Sequence, residues 1–360
     1  MRALKHAEHA VFCVDDGQKT YYDPQFDRIV PYSSGQQVKR SVLQYVSEQL
    51  DEPVAPITFN YEIDKNKKLG TKEPWSPCDP TYIDQLLGGW MRAKTATLKS
   101  KGAGEDAKDD TAVLKRRSPL SISAMRPLHP LLAGIDKENL TFDRSDRPDI
   151  HPVRVRRADT GKELSEDEIE AYLVENGRTL GRRTWIPDNK RATGLFVYDV
   201  AVDLRTLFSV SLNQQEPEVT PEIITKLKEA QWIETKNTFG RCLVMPRERR
   251  ETIIPALAEA LINWRITSNQ ARTFALLDTL SVAVSDNASQ IASAIRAKLI
   301  DDGGKQRAKP LLDAKAGADL YVALPCAGYI VTECESPDAL VQAKADLVKR
   351  MLEFDYENQI

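Results

Sequence analysis

The sequence predicts an α+β fold. Strand-like and helical segments follow one another without the regular strand–helix–strand alternation of a parallel α/β protein, and no glycine fingerprint follows any strand. A hydrophobic fraction of 41% over 360 residues is enough for a sizeable core, and no internal repeat interrupts it.

Taken in order, the apolar run "HAVFCV" predicts a first buried strand, and "TYYDPQFDRIVPY" a further strand-like stretch. "SSGQQVKRSVLQYVSEQL" is the first clear helix. Ser33 or Ser34 can cap it, and Val38, Val42, Leu43, Tyr45, Val46 and Leu50 recur at helical spacing. Residues 51–112 are mixed and proline-broken, ending in "KSKGAGEDAKDD", whose composition predicts a mobile loop. A basic strand follows. A second irregular region, 142–192, contains the short acidic helix "SEDEIEAYLVEN". "TGLFVYDVAVDL" alternates as a core strand, and "TPEIITKLKEAQ" is helical with Pro221 suited to its first turn. "PRERRETIIPALAEALINWRI" is a longer helix, "LLDTLSVAVSD" a strand and "NASQIASAIRAKLID" a helix whose end would be turned by "DDGG". "ADLYVALPCAGYIVTE" reads as strand and "SPDALVQAKADLVKRMLEF" as the terminal helix.

Several chemistries are excluded. The chain has no GxxxxGK[ST], GxSxG or HExxH. His6, His9, His129 and His151 do not combine with each other or with cysteine at metal-ligand spacing, so no metal and no cofactor is expected. His6 and His9 could share a helical face, where solvated surface histidines are the simpler reading. Five scattered cysteines without a CxxC pair point to a reducing compartment, and "MRALKHAEHAVFCVDDG" lacks the apolar core of a signal peptide. The expectation is a cytoplasmic protein that does not enter membranes. A formal net charge of -3 gives no whole-molecule attraction to polyanions, so any such binding must be local.

Four local cationic segments stand out. In "SSGQQVKRS", Ser34, Gln36, Gln37, Lys39 and Arg40 gather at a helix N-terminus, where backbone N–H groups favour a phosphate. A capped surface helix is the simpler alternative. In "KRRSPLSISAMRPLHPLL", Lys115, Arg116, Arg117 and Arg126 face no acid, and Ser118 opens a run of hydroxyls. Alternation places Leu120, Ile122 and Ala124 on one face and Ser121 and Ser123 on the other. That suits a nucleic-acid backbone lying along the strand; an edge strand protected by charge is the alternative. In "GRTLGRRTWIPDNKR", Arg178, Arg182, Arg183, Lys190 and Arg191 surround Trp185 with only Asp188 opposed, a platform for phosphate and base or a loop anchored by its indole. In "ITSNQARTF", Asn269, Gln270 and Arg272 follow a long helix. Four such segments, with no enzymatic motif, favour an RNA- or DNA-binding scaffold. Arg92, in "LLGGWMRAKT", precedes the loop and joins the candidates through the resemblance below.

The order of these segments resembles the backbone subunit of CRISPR Cascade effector complexes, the Cas-seven family of the RAMP superfamily in its DevR-like branch. "PYSSGQQVKRSVLQ", "LLGGWMRAKT", "KRRSPLSISAMRPLHP", "TGLFVYDVAVDL" and "SNQARTF" before "LDTLSVAVS" occur in the family's order over about residues 31–285. The resemblance implies a modified RRM-like (ferredoxin-like) palm, 1–50 and 194–360, with a fingers-like insertion at 51–115, a palm-adjacent basic strand at 116–141 and a thumb-like insertion at 142–193. It implies a non-catalytic protein that polymerises with further copies of itself along a CRISPR guide RNA. The guide would be presented to target DNA beside small, large and guide-end subunits. The glycine-rich loop common near the family's C-terminal strand is reduced here to "PCAGY".

Two other functions follow from the same segments. RNA-cleaving relatives carry an aspartate before the first helix, and here Asp15, Asp16, Asp23 and Asp27 occupy that loop. Aspartates in Gly- and Pro-containing turns are otherwise structural. A stand-alone RNA-binding or guide-processing protein of the same superfamily would rely on a histidine.

Overall fold

The computed structural model describes residues 1–12, 18–92, 113–145, 147, 149–266 and 276–360. The chain is α+β. Its palm is built from β1 (Arg2–Ala10), α1 (Gly35–Leu50), β2 (Leu120–Ile122), β3 (Arg183–Val202), α2 (Arg247–Asn263) and β4 (Leu276–Val284). β3 pairs antiparallel with β2 and with β1, and β1 pairs antiparallel with β4. The resulting order β2-β3-β1-β4, with α1 and α2 as crossovers, is that of a ferredoxin-like, RRM-like sheet. β5 (Asp319–Ala323) extends the sheet beyond β4, and α3 (Ala339–Glu353) closes the chain.

Strand alternation, interrupted by a register shift at Leu280 where β4 meets β1, sorts the sheet into two faces. Ala3 and Ala7 of β1, Phe196, Tyr198 and Val200 of β3 and Val282 of β4 join one core with Val38, Val42 and Val46 of α1, Leu257 and Leu261 of α2, and Leu347 of α3. Leu4, Leu195 and Leu280 face the other way, into a smaller core with Ile291, Ile295, Val322 and Ile330.

The first strand begins earlier than "HAVFCV" suggests, because two polar residues sit inside it. Lys5 and His6 are both buried, His6 with its ring 4.0 Å from that of Tyr329, so His6 is a core residue and not a surface histidine on a helix. Lys5 donates to the Ile262 carbonyl (3.0 Å) and the Thr279 hydroxyl (2.7 Å), with Trp264 alongside. Burial pulls its pKa down to about 7, with Asp278 opposing and Arg265 assisting that shift. Between that value and about 10.4 the unfolded chain holds a proton that the native lysine has lost, so stability rises with pH. The expected slope approaches 1.4 kcal/mol per pH unit in that window. It should be absent from Lys5→Met; urea unfolding of both proteins from pH 7 to pH 10 measures it, and parallel curves would contradict the assignment.

The "DDGG" segment also differs from expectation. The helix after β4 ends at Ala294, and Ile295–Asp302 pairs with Lys305–Leu312 as a hairpin. Gly303 and Gly304 form its two-residue turn with φ of 62° and 91°. Positive φ at both central positions is what a tight hairpin of this hand requires, and glycine supplies it without strain.

The described chain divides into two compact units, 1–134 with 192–360, and Ile135–Arg191. In the second, Ser165 and Glu168 form a reciprocal cap on the helix Glu166–Glu175. Among the described residues, no helix is long and apolar enough to cross a membrane, and no cluster of three metal-ligating side chains occurs.

Candidate nucleic-acid interface

The site begins at the N-terminus of α1. Ser34 caps the helix, its hydroxyl accepting from the Gln37 backbone N–H, and no acid occupies the first turn. Gln36 and Arg40 are exposed beside it. Ser33 donates to the Gln37 side-chain carbonyl (3.0 Å), while the Gln37 amide nitrogen is buried and bonds nothing among the described residues. An idle donor at the positive end of a helix is a group that an anionic oxygen would satisfy.

The basic segment lies directly against this helix end. Ser33 and Met125 exchange backbone hydrogen bonds of 2.9 and 3.0 Å. A Cβ on Gly35 would stand 2.7 Å from the Ile122 carbonyl, so the glycine allows the close approach. The segment itself is three short strands, Leu114–Arg116, β2 and Arg126–Pro127, the last two paired to β3. Leu120 is buried and Ser121 exposed, as alternation predicts.

The cations on this surface divide into two kinds. Arg117 and Arg126 are exposed, and the Arg126 guanidinium lies 5.9 Å from the centre of the Tyr21 ring. Tyr21 in turn packs edge-on against Tyr32 at 5.8 Å. An arginine beside an aromatic at a helix N-terminus pairs a phosphate contact with a stacking surface. Arg116 is different, being 3% exposed. Its guanidinium donates to the carbonyls of Leu86, Thr206 (2.9 Å) and Ser209 (3.1 Å), and it is 3.8 Å from Glu218. Burial lowers its pKa to about 10, leaving it charged at neutral pH. Arg116 therefore spends its donors inside the protein and not on a phosphate. Ser118 is also engaged locally, bonding the carbonyls of Leu87 and Leu120 at 2.9 Å.

Lys39 lies between these classes. Its ammonium donates to Gly88 (3.0 Å), and its pKa is lowered first by burial and then by Arg116. Arg92 ends the strand Trp90–Arg92 and is half-buried opposite Leu114. The structure thus brings Ser34, Gln36, Gln37, Arg40 and Arg126 into one neighbourhood, while Lys39 of the same helix turns to the Gly88 carbonyl. Tyr21 was not among the expected residues; its sequence signal was the paired aromatics of "TYYD", beside the arginine only through tertiary pairing.

The second unit holds the other arginines. Arg182 and Arg183 are exposed, and Arg183 forms a 2.7 Å ion pair with Asp143. Acid therefore opposes this cluster from a distant point in sequence, and Arg191 is buried. The backbone of Trp185 lies in β3. Asn269, Gln270 and Arg272, the "KSKGAGEDAKDD" loop, Asp15 and Asp16 lie outside the described residues. Asp23 accepts from the backbone N–H groups of Gln25 and Phe26, and Asp27 accepts from the Tyr22 hydroxyl, so both stabilise the turn they occupy. His129 caps a short 3-10 helix through Nδ1, and the His151 Nδ1 accepts from the Ser145 backbone N–H.

No protein-family model matches the chain, and no curated protein matches it. Among solved structures, a chain described as "CRISPR RNA-guided surveillance complex, pre-nicking" is similar with a TM-score of 0.41 and 11% identity, over 98% of this chain and 88% of that one. Another, described as "CRISPR RNA-guided surveillance complex", has a TM-score of 0.32 and 10% identity, over 99% and 86%.

Proposed function

We propose that the protein is a non-catalytic guide-RNA-binding backbone subunit of a type I, Cascade-like complex. One observation carries the reading: an acid-free basic segment is bonded directly to the N-terminus of α1, with Arg126 and Tyr21 side by side at the junction. Helix-end N–H groups, a guanidinium and an aromatic face together suit an RNA backbone and the bases attached to it. The collinear sequence motifs support the same reading. Further copies of the chain would bind successive stretches of one guide, which pairs with target DNA while other Cascade subunits hold its ends. Asp23 and Asp27, two of the four candidate aspartates, are engaged in stabilising their own turn.

Co-expression with a CRISPR array, followed by purification of the complex, tests this. The expected result is array-derived guide RNA with several copies of the protein on each. Unselected cellular RNA, or one copy per guide, would overturn the backbone role. Regularly spaced cuts in added complementary RNA would overturn its non-catalytic character.

A further inference from the structure

The hairpin Ile295–Asp302 and Lys305–Leu312 gathers five cations on one of its two faces. Cross-strand partners share a face, so Ile295, Leu312, Ala297, Pro310, Leu299 and Ala308 form one side, with Asp301 and Gln306 at its tip. Ile295 and Leu312 root that side in the smaller core. The opposite side carries Arg296, Lys298, Arg307, Lys309 and Lys305, interspersed with Leu311 and Ile300, and the register closes with Asp302 opposite Lys305 at the turn. Arg296 is held by Asp313 at 3.2 Å. Lys298 and Lys309 stand directly across from each other. Like charges so placed destabilise a ribbon. Edge protection alone needs only scattered charge, whereas an arrangement that repeats positive positions along a ribbon matches a regular polyanion. Both lysines are exposed, and no ion pair engages Lys298, Lys305 or Lys309 among the described residues.

We infer that this hairpin is a docking arm for the phosphate backbone of double-stranded nucleic acid. A two-stranded ribbon fits a duplex groove. The arm has no aromatic residue between 295 and 312, so it lacks the stacking surfaces with which proteins hold single strands. A duplex keeps its bases stacked and offers phosphates, which the lysines can meet. The whole chain's net charge of -3 leaves a local cationic face to do this. The inference does not depend on the guide-binding reading, whose residues lie on α1 and the basic segment.

The test uses full-length protein and a fluorescent DNA duplex of arbitrary sequence, with affinity measured across a salt series. Lys298→Ala with Lys309→Ala should lower the slope of log affinity against log salt by about 2 and weaken binding equally for all sequences. Lys298→Gln with Lys309→Gln should do the same, and neither pair should lower the melting temperature, since both relieve repulsion. Lys349→Ala, an exposed lysine on α3 outside both surfaces, should leave the duplex slope unchanged. An unchanged duplex slope in both lysine variants, or a loss confined to single-stranded RNA, would overturn the inference.

Discussion

Arg116→Ala should destabilise the protein by about 3–5 kcal/mol, the cost of removing one partner from a buried charged network. The side chain donates to three carbonyls, those of Leu86, Thr206 and Ser209, of which Thr206 also accepts a backbone bond from the Ser209 N–H at 3.3 Å. Each buried acceptor left open costs about 1–3 kcal/mol. Its guanidinium also lies 5.4 Å from the Trp90 ring centre, and Trp90 donates to the Glu218 carbonyl at 2.7 Å. Burial raises the Glu218 pKa while Arg116 opposes the rise, so the variant also leaves a carboxylate without its cation. Arg116→Lys should rescue little, because one ammonium cannot reproduce a planar fork aimed at three carbonyls. The neighbouring Arg117→Ala, at an exposed position, should change stability by no more than about 0.5 kcal/mol. Urea unfolding of the three variants measures this; equal stabilities for Arg116→Ala and Arg117→Ala would contradict the division between the two residues.

That division could not be read in the sequence. In "LKRRS" alternation predicts that Leu114 and Arg116 share a face, yet an arginine pointing inward needs carbonyls from residues 86, 206 and 209, which only the tertiary fold supplies. Lys5 and His6 hid β1 for the same reason: their partners lie on the C-terminal end of α2, on β4 and beside Tyr329. By contrast α1 was legible, since Val38, Val42 and Val46 keep helical spacing and Ser34 caps locally. β3 was legible in part, through the alternation from Leu195 to Val202. The hairpin after β4 was misread because Ile291, Ile295 and Leu299 also fit a helical stripe. Pairing across Gly303 and Gly304 overrode that local pattern. In the interface, the cations were legible as composition. Their sorting into exposed Arg117 and Arg126 and buried Arg116 was not.

The second large effect is on RNA. Arg117 and Arg126 are exposed on the segment that meets the helix end, so each is placed to neutralise a phosphate without burying its charge. Removing both should weaken guide binding similarly for all sequences, because backbone contacts carry no base readout. It should also release about two fewer counterions per binding event, lowering the salt slope by about 2. Lys349→Ala, an exposed lysine near Glu353 on α3, provides the control and should leave the slope unchanged. The measurement is guide-RNA affinity of the purified full-length protein, wild type against Arg117→Ala with Arg126→Ala, across a salt series. A slope lower by about 2 with unchanged unfolding is the result expected if this segment and the start of α1 form the RNA groove. Coincident slopes and affinities, with both proteins folded, would contradict it.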